Sequence, residues 1–319
     1  MPRTALLMFA CLVALASEAS AQTDYPSRPV RIVVNSAPGG GTDILARVLA
    51  QKLSMGGQNF FVENRGGGGG IIGIEAVINA PRDGYTLLMT PSTVAVLPAV
   101  TKQARYDAAK DLTAITQVAG ISNVLVVHPD VPVKTLKELT LAKSKPGTLN
   151  YGSAGAGSSP HMSMELLKHM AGIDLQHIPF KGTGPAMAEV LSGRIAALFS
   201  NMLTGKPLIE AGKLRALAIS GPRRVAALPD VPTVAEAGVP GYSALQWYGL
   251  LAPAGTPQPI IDKLQAAVAE ALRLPEVRER LAQDGAEPVG GTSAEFAALI
   301  KNDLEKWSNI ARAANIQAE

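Results

Sequence analysis

Cysteine is all but missing from this chain: its 319 residues hold one, Cys11, inside an apolar N-terminal stretch. Histidine is scarce as well. The four, His128, His161, His169 and His177, show neither H-x-x-x-H nor H-x-H spacing, so no metal site is expected. A surplus of one charge is also lacking. Lys and Arg number 29 against 26 Asp and Glu, a net +3 with the cations dispersed. Such a balance gives nucleic acid or an anionic membrane no patch to hold, while a small anionic ligand stays compatible. Beyond the N-terminus no apolar run nears the roughly 20 residues of a membrane helix.

What is present begins with a leader. Arg3 precedes an apolar run from Ala5 to Ala16, and Ala19-Ser20-Ala21 fits an A-x-A cleavage pattern. That reads as a secretory signal peptide, residues 1–21, with an apolar run too short for a span. A lipoprotein signal using Cys11 fits poorly, because the cysteine lies within the apolar run instead of ending it. Cleavage takes Arg3 and Glu18 together, so the charge stays at +3. It also discards the cysteine, leaving neither disulfides nor thiol chemistry. The remaining length suggests two domains.

One unit recurs along the mature chain: an apolar strand, a glycine-bearing loop, an amphipathic helix. "PVRIVVN" leads through "SAPGGG" to "TDILARVLAQKLS", where Ile44, Leu45, Val48, Leu49 and Leu53 share a face. "NFFVENR" leads through five glycines to "IIGIEAVINA", and "RIAALFSNM" and "KLRALAIS" add two strands. The alternation predicts α/β architecture with mainly parallel sheets flanked by helices. Thr135–Glu138, Thr233–Glu236 and Thr292–Glu295 have capping-box spacing. Ser159-Pro160 and Thr256-Pro257 place proline just after a candidate N-cap. Near the C-terminus, Phe296, Leu299, Ile300, Leu304, Trp307 and Ile310 fall on one helical stripe.

Motifs of catalysis are missing. "APGGGTDILA" is not the G-x-G-x-x-G of a dinucleotide site, and no glycine run ends in the Gly-Lys-Ser/Thr of a P-loop. In "GAGSSPH", Ser158 and Ser159 stand beside His161, which keeps an exported serine hydrolase as an alternative. The nucleophile elbow G-x-S-x-G is absent, however, and helix-capping serines explain the stretch more simply. Several glycine-rich helix starts remain. Each aims backbone N–H groups and a positive helix end outward, an arrangement that holds an anion without reacting with it. Open α/β sheets bind ligands where such loops collect, at strand ends. Holding therefore fits better than turnover.

The ordered stretches "APGGGTDILARVLAQKL", "VENRGGGGGIIGIEAV", "PRDGYTLLM", "LNYGSAGAGSSPHMSMELL", "HIPFKGTGPAMAEVLSGRI", "LPDVPTVAEAGVPGY" and "WYGLLAPAGTP" carry a resemblance. Over essentially the whole mature chain they resemble the substrate-binding receptors of tripartite tricarboxylate transporters, the Bug or TctC family. The resemblance implies a two-lobed, type II periplasmic binding protein. Domain 1 would combine residues 22–122 with 228–319, and domain 2 would be 123–227. Such receptors are periplasmic, need no cofactor and catalyse nothing. They bind a small carboxylate in the cleft and deliver it to the membrane permease subunits. A monomer is expected.

Carried over by position, the resemblance puts Pro38, Gly39, Gly40, Gly41 and Asp43 in a domain 1 clamp, joined by Thr90 and Ser92. Asp43 reads equally well as a helix-start residue favoured by the dipole. Ser153, Ala154, Gly155, Ser158, Ser159 and His161 would form the facing wall, with Lys181, Gly182, Thr183 and Gly184 beside it. Two departures bear on the ligand. Many relatives have an aromatic residue shortly before the clamp, where this chain has Asn35-Ser36-Ala37-Pro38, and Ser36 should widen or wet that wall. Relatives often have an acid before the asparagine of the next wall, where this chain has Phe199-Ser200-Asn201. Losing that carboxylate disfavours an amine-bearing ligand, and both departures lean towards a purely acidic or aromatic acid, although amino acids and a nicotinamide-like ligand stay open. A ligand-sensing ectodomain would carry the same sequence signals as a transport receptor.

Overall fold

The computed structural model describes residues 25–36, 38–39, 41–55, 57–141, 149–180, 183–283 and 285–316. The leader, Gly40, Lys181 and Gly182 lie outside the described residues. Twelve strands form two sheets among the described residues. In chain order they are β1 Val30–Val34, β2 Ser54–Met55, β3 Gln58–Asn64, β4 Thr86–Pro91, β5 Leu112–Ile121, β6 Asn123–Val127, β7 Asn150–Ser153, β8 Gln176–Pro179, β9 Ala197–Asn201, β10 Arg215–Ile219, β11 Gln246–Pro253 and β12 Ala286–Pro288. The first sheet runs β12-β5-β11-β4-β1-β3-β2 and the second β10-β6-β9-β7-β8. The helices are α1 Gly41–Lys52, α2 Ile71–Ile78, α3 Thr93–Val100, α4 Ala108–Asp111, α5 Leu136–Leu141, α6 Ser159–Ala171, α7 Thr183–Leu191, α8 Met202–Glu210, α9 Gln258–Ala271, α10 Pro275–Gln283 and α11 Ser293–Ala313.

Period-2 alternation assigns the two faces of the first sheet. Ile32, Val34, Leu87, Met89 and Leu250 point to a core shared with Leu45 and Leu49 of α1 and Ile261 and Leu264 of α9. Val33, Leu88 and Leu251 point the other way, to Ile74 of α2, Val94 of α3 and Phe296 of α11. The second sheet repeats this with Leu125, Tyr151 and Phe199 on one face, under α6, and Val124, Val126 and Leu198 on the other, under α7. Burial on both faces explains why these strands read as near-continuous apolar runs.

Strand directions are more mixed than the expected mainly parallel sheets. β1 runs parallel to β3 and β4, and β7 parallel to β8 and β9. The strands that carry the chain between sheets run antiparallel to their neighbours. β11 opposes both β4 and β5, and β6 opposes both β9 and β10. The cause is connection: β5 passes straight into β6 through Ser122 alone, with no helix to turn it back.

The first crossover is that single residue, and the second leaves the end of β10 for β11. Ser220 ties them together. Its hydroxyl accepts from Asn123 N–H at 2.8 Å and donates to Ala244 C=O at 3.0 Å. A Cβ on Gly221 would lie 2.1 Å from Ser122 Oγ, so the two crossovers touch as closely as glycine allows.

Helix α11 carries the predicted stripe, and its two ends serve different cores. Phe296 and Ile300 pack with the first sheet, whereas Trp307 and Ile310 pack with residues of the second. The complete capping box at Thr292–Glu295 starts it. At Thr233–Glu236 the reciprocal bonds also form, but they close turns instead of opening a helix. Two expected caps shift by one residue: Ser158, not Ser159, caps α6, and Pro257, not Thr256, stands at the cap of α9. Phe296 meets Trp247 edge to face at 5.0 Å, and a Cβ on Gly249 would fall 2.0 Å from its ring. Gly249→Ala should therefore cost about 1–3 kcal/mol through overpacking. A urea-unfolding midpoint equal to wild type would contradict this packing.

Candidate ligand-binding cleft

The parallel strands of the first sheet deliver three loops to one edge. Val34, the last residue of β1, pairs with Asn64 of β3 and Met89 of β4, so the loops after all three strands start side by side. Pro38 and Gly39 turn the first loop, with Gly39 at φ +86°, a conformation that glycine adopts without strain. Asp43, in the first turn of α1, is buried and holds the loop turn before it. Its carboxylate accepts from Gly39 N–H at 2.9 Å, from Arg47 Nε at 3.1 Å and from Asn64 Nδ2 at 2.9 Å. Asn64 also binds Ser36 C=O and Arg47, closing the ring. Burial pushes the Asp43 carboxyl up, but Arg47, Gly39 and Asn64 outweigh it and hold it below the usual carboxylate range.

Gly41 opens α1. A Cβ there would sit 2.9 Å from Tyr248 Oη, which brings β11 against the loop. Thr90 is fully buried and donates to Pro91 C=O, while Ser92 N–H donates to Trp247 C=O and its residue precedes α3.

The second sheet supplies the opposite wall, again from the ends of parallel strands. Ser153, closing β7, pairs with Pro179 of β8, and Gly152 with Leu198 of β9. Ser153 Oγ lies 3.1 Å from both Gly155 O and Gly155 N and 2.7 Å from His177 Nε2. Ala154 and Gly155 follow half-buried, and Ser158 Oγ donates to Gly155 C=O. Thr183 and Gly184 lie in the first turn of α7. Asn201 caps α8 by accepting from Thr204 N–H at 2.9 Å and pairs with Asn123, whose amide donates to Ser159 Oγ at 3.0 Å. The junction residue Asn123 thus binds the start of α6.

Beneath this wall three rings stack: Tyr151 on His177 at 4.9 Å, and His177 on His161 at 3.9 Å. Tyr151 Oη donates to Glu165, which also accepts from Lys168. His161 Nδ1 accepts from Gly157 N–H at 3.0 Å, so the ring is neutral and fastens the loop. Burial first, then the neighbouring His177 and Lys168, push His161 down to about 3. Burial also lowers His177 and raises Tyr151. His169 is exposed, and among the described residues no group of potential metal ligands comes together.

Ser158 and Ser159 do not pair with His161. One hydroxyl is given to Gly155 and the other accepts from Asn123, while the acceptor nitrogen of His161 is taken by backbone. The two walls meet at a small cavity lined by Ser92 and Thr93 at the start of α3, Ser159 and Ser163 of α6, Gln246 and Trp307. Asn64 and Asn123 carried no short-range signal for this site, because each reaches it from a distant strand, whereas Tyr248, readable as cleft floor or as core, comes against the loop at Gly41. Two α/β lobes joined by touching crossovers, with helix starts from each lobe facing the junction, make the architecture of a two-lobed solute-binding protein.

Comparison with known proteins gives the family. The profile of the tripartite tricarboxylate transporter family receptors, TctC, matches residues 45–316. Protein BugT of Bordetella pertussis is 37% identical over 309 residues, covering 96% of this chain and 94% of BugT. A solved structure described as R. palustris Rpa4515 with adipate is 36% identical, covers 92% of this chain and 99% of its own, and superposes with a TM-score of 0.78. MatC from Rhodopseudomonas palustris with bound malate is 34% identical, with coverage of 90% and 99% and a TM-score of 0.73. The chain belongs to the TctC family of extracytoplasmic solute receptors. The family is periplasmic, and no described helix is long and apolar enough to cross a membrane.

Two tests follow from the geometry. Asp43→Ala leaves Gly39 N–H and the Asn64 amide without their acceptor and should cost about 1–3 kcal/mol. A melting temperature equal to wild type would show that the ring carries no load. His161 has a folded value of about 3 against 6.5 for the free side chain, so between those values the unfolded chain binds the extra proton. Stability from this group is intact above pH 6.5 and is lost as pH falls towards 3. His161→Gln should flatten urea-midpoint profiles across pH 6.5 to 4; parallel profiles would refute the assignment.

Proposed function

We propose that this receptor clamps a small carboxylate between its lobes and delivers it to the permease subunits of a tripartite tricarboxylate transporter. The observation that carries this is the first loop. Its turn is already held by the Asp43 carboxylate, and the first N–H groups of α1, which have no intrahelical acceptor, suit another anion. The start of α6 supplies a second such end from the other lobe. Two positive helix ends facing one junction suit a dicarboxylate, and the relatives solved with adipate and malate support that choice. Ligand-binding roles fall to Pro38, Gly39, Gly40 and Gly41 with Thr90 and Ser92 on one side, and to Ser153, Ala154, Gly155, Ser158, Ser159, His161, Lys181, Gly182, Thr183, Gly184 and Asn201 on the other. Asp43 serves by shaping the loop.

The leader is removed after Ala21, and the lobes follow the expected 22–122 with 228–319 and 123–227 except at the return. Val234, Val239 and Tyr242 pack with the second sheet, so we put the physical return to the first lobe at Ala244–Gln246. The mature protein acts in the periplasm as a monomer and performs no chemistry on its ligand. Closure removes water from the amide–carboxylate contacts and strengthens them.

The test is a thermal-shift series on mature protein, unfolded and refolded to strip carried-over ligand. Aliphatic dicarboxylates would be compared with their diamides. A ligand at 100 times its dissociation constant adds about 2.7 kcal/mol, a shift of several degrees. Stabilisation by a diacid and not by its diamide is expected. Stabilisation by neutral or amine-bearing compounds alone would overturn the proposal.

A further inference from the structure

Two polar side-chain oxygens at the root of the loop are buried and have no partner among the described residues: Asn35 Oδ1 and Ser36 Oγ. Asn35 is only 5% exposed. Both follow β1 directly, where the central parallel strand gives way to the glycine loop. Their surroundings are shaped to take them. A Cβ on Gly70 would lie 2.5 Å from Asn35 Nδ2, and one on Gly73 would lie 2.7 Å from Asn35 Cα. Glycine at 70 and 73 therefore makes room for the asparagine, and Asn64 fixes Ser36 by binding its carbonyl at 3.2 Å.

A buried polar group without a partner is destabilising, and two such atoms follow in succession here. A core built for packing alone would have an apolar pair here. Asn35 Oδ1 is an acceptor, and a serine hydroxyl both accepts and donates. Together they suit a ligand group that donates a hydrogen bond beside a carboxylate held by the α1 N-terminus. That group is a hydroxyl or an amine. An ammonium needs a free carboxylate within reach, and Asp43 is fully engaged with Gly39, Arg47 and Asn64. At the opposite wall Ser200 is buried and donates to Asn201 C=O, so no acid stands there either.

We propose that Asn35 and Ser36 are specificity-determining residues that select a hydroxylated carboxylate over the same acid without its hydroxyl. This rests on the carboxylate reading above and narrows it. A site built to hydrogen-bond a substrate hydroxyl rejects the analogue lacking it, because its own buried polar atoms are then left unpaired.

Isothermal titration of ligand-stripped, refolded protein with two matched pairs tests the proposal: malate against succinate, and citrate against tricarballylate. The hydroxylated member of at least one pair should bind about tenfold more tightly or better. In Asn35→Ala and, separately, Ser36→Ala, that ratio should fall towards one. The ratio is the readout, so a general weakening of the loop does not mimic the result, and either variant suffices if the other fails to fold. Equal affinity within both pairs in the wild-type protein would overturn this inference and leave the carboxylate receptor standing. So would a hydroxyl preference that survives both substitutions. Silence from all four acids, with refolding confirmed and binding found only for amides or amines, would overturn both.

Discussion

The buried carboxylate of Asp43 is the constraint on which the clamp depends. A three-glycine loop has no side chains to define its course, and a flexible loop would lose most of the advantage of backbone N–H donors to ordering entropy. Asp43 removes that freedom with bonds to the turn before it, to Arg47 one helical turn later, and to Asn64 on the next strand. The negative charge sits within the first turn of α1, where the helix dipole favours it. Gly39 is thereby tied to α1 and to β3 without any ligand.

The second lobe reaches the same end differently. Its loop from Ser153 to Ser159 is fastened by the neutral imidazole of His161 and by the hydroxyl contacts of Ser153 and Ser158 with Gly155. The aromatic stack of Tyr151, His177 and His161 gives that loop a rigid floor. Between the walls, Ser220 joins the crossovers and α11 contributes side chains to the cores on both sides. The two lobes are therefore linked by a small bonded junction with a helix laid across it.

Much of this was legible in the sequence. The apolar runs of β1, β4 and β9, the amphipathic face of α1 and the stripe of α11 are short-range patterns, and the glycine loops announce their own helix starts. Strand direction was less legible, because periodicity is identical for parallel and antiparallel neighbours and the direct passage from β5 to β6 leaves no helical signal. Caps at Ser158 and Pro257 shifted by one residue where two capping candidates stand together. The role of Asp43 depends on Asn64, 21 positions away, and the floor of the second wall depends on His177 meeting Ser153 and His161 from another strand. Such pairings arise only when strands align. The motif marked the loop, while the residues that hold the loop itself came from the fold.

The central claim is that ligand carboxylate meets the backbone at the start of α1, and amide NMR tests it most directly. Gly39 N–H is already bonded to Asp43, whereas the N–H of Gly41, the first residue of α1, has no intrahelical acceptor. On titrating ligand-free protein with a dicarboxylate that binds, the Gly41 amide proton should move downfield by far more than that of Gly39. Saturable binding that leaves Gly41 unmoved would contradict the account and put the carboxylate elsewhere in the cleft.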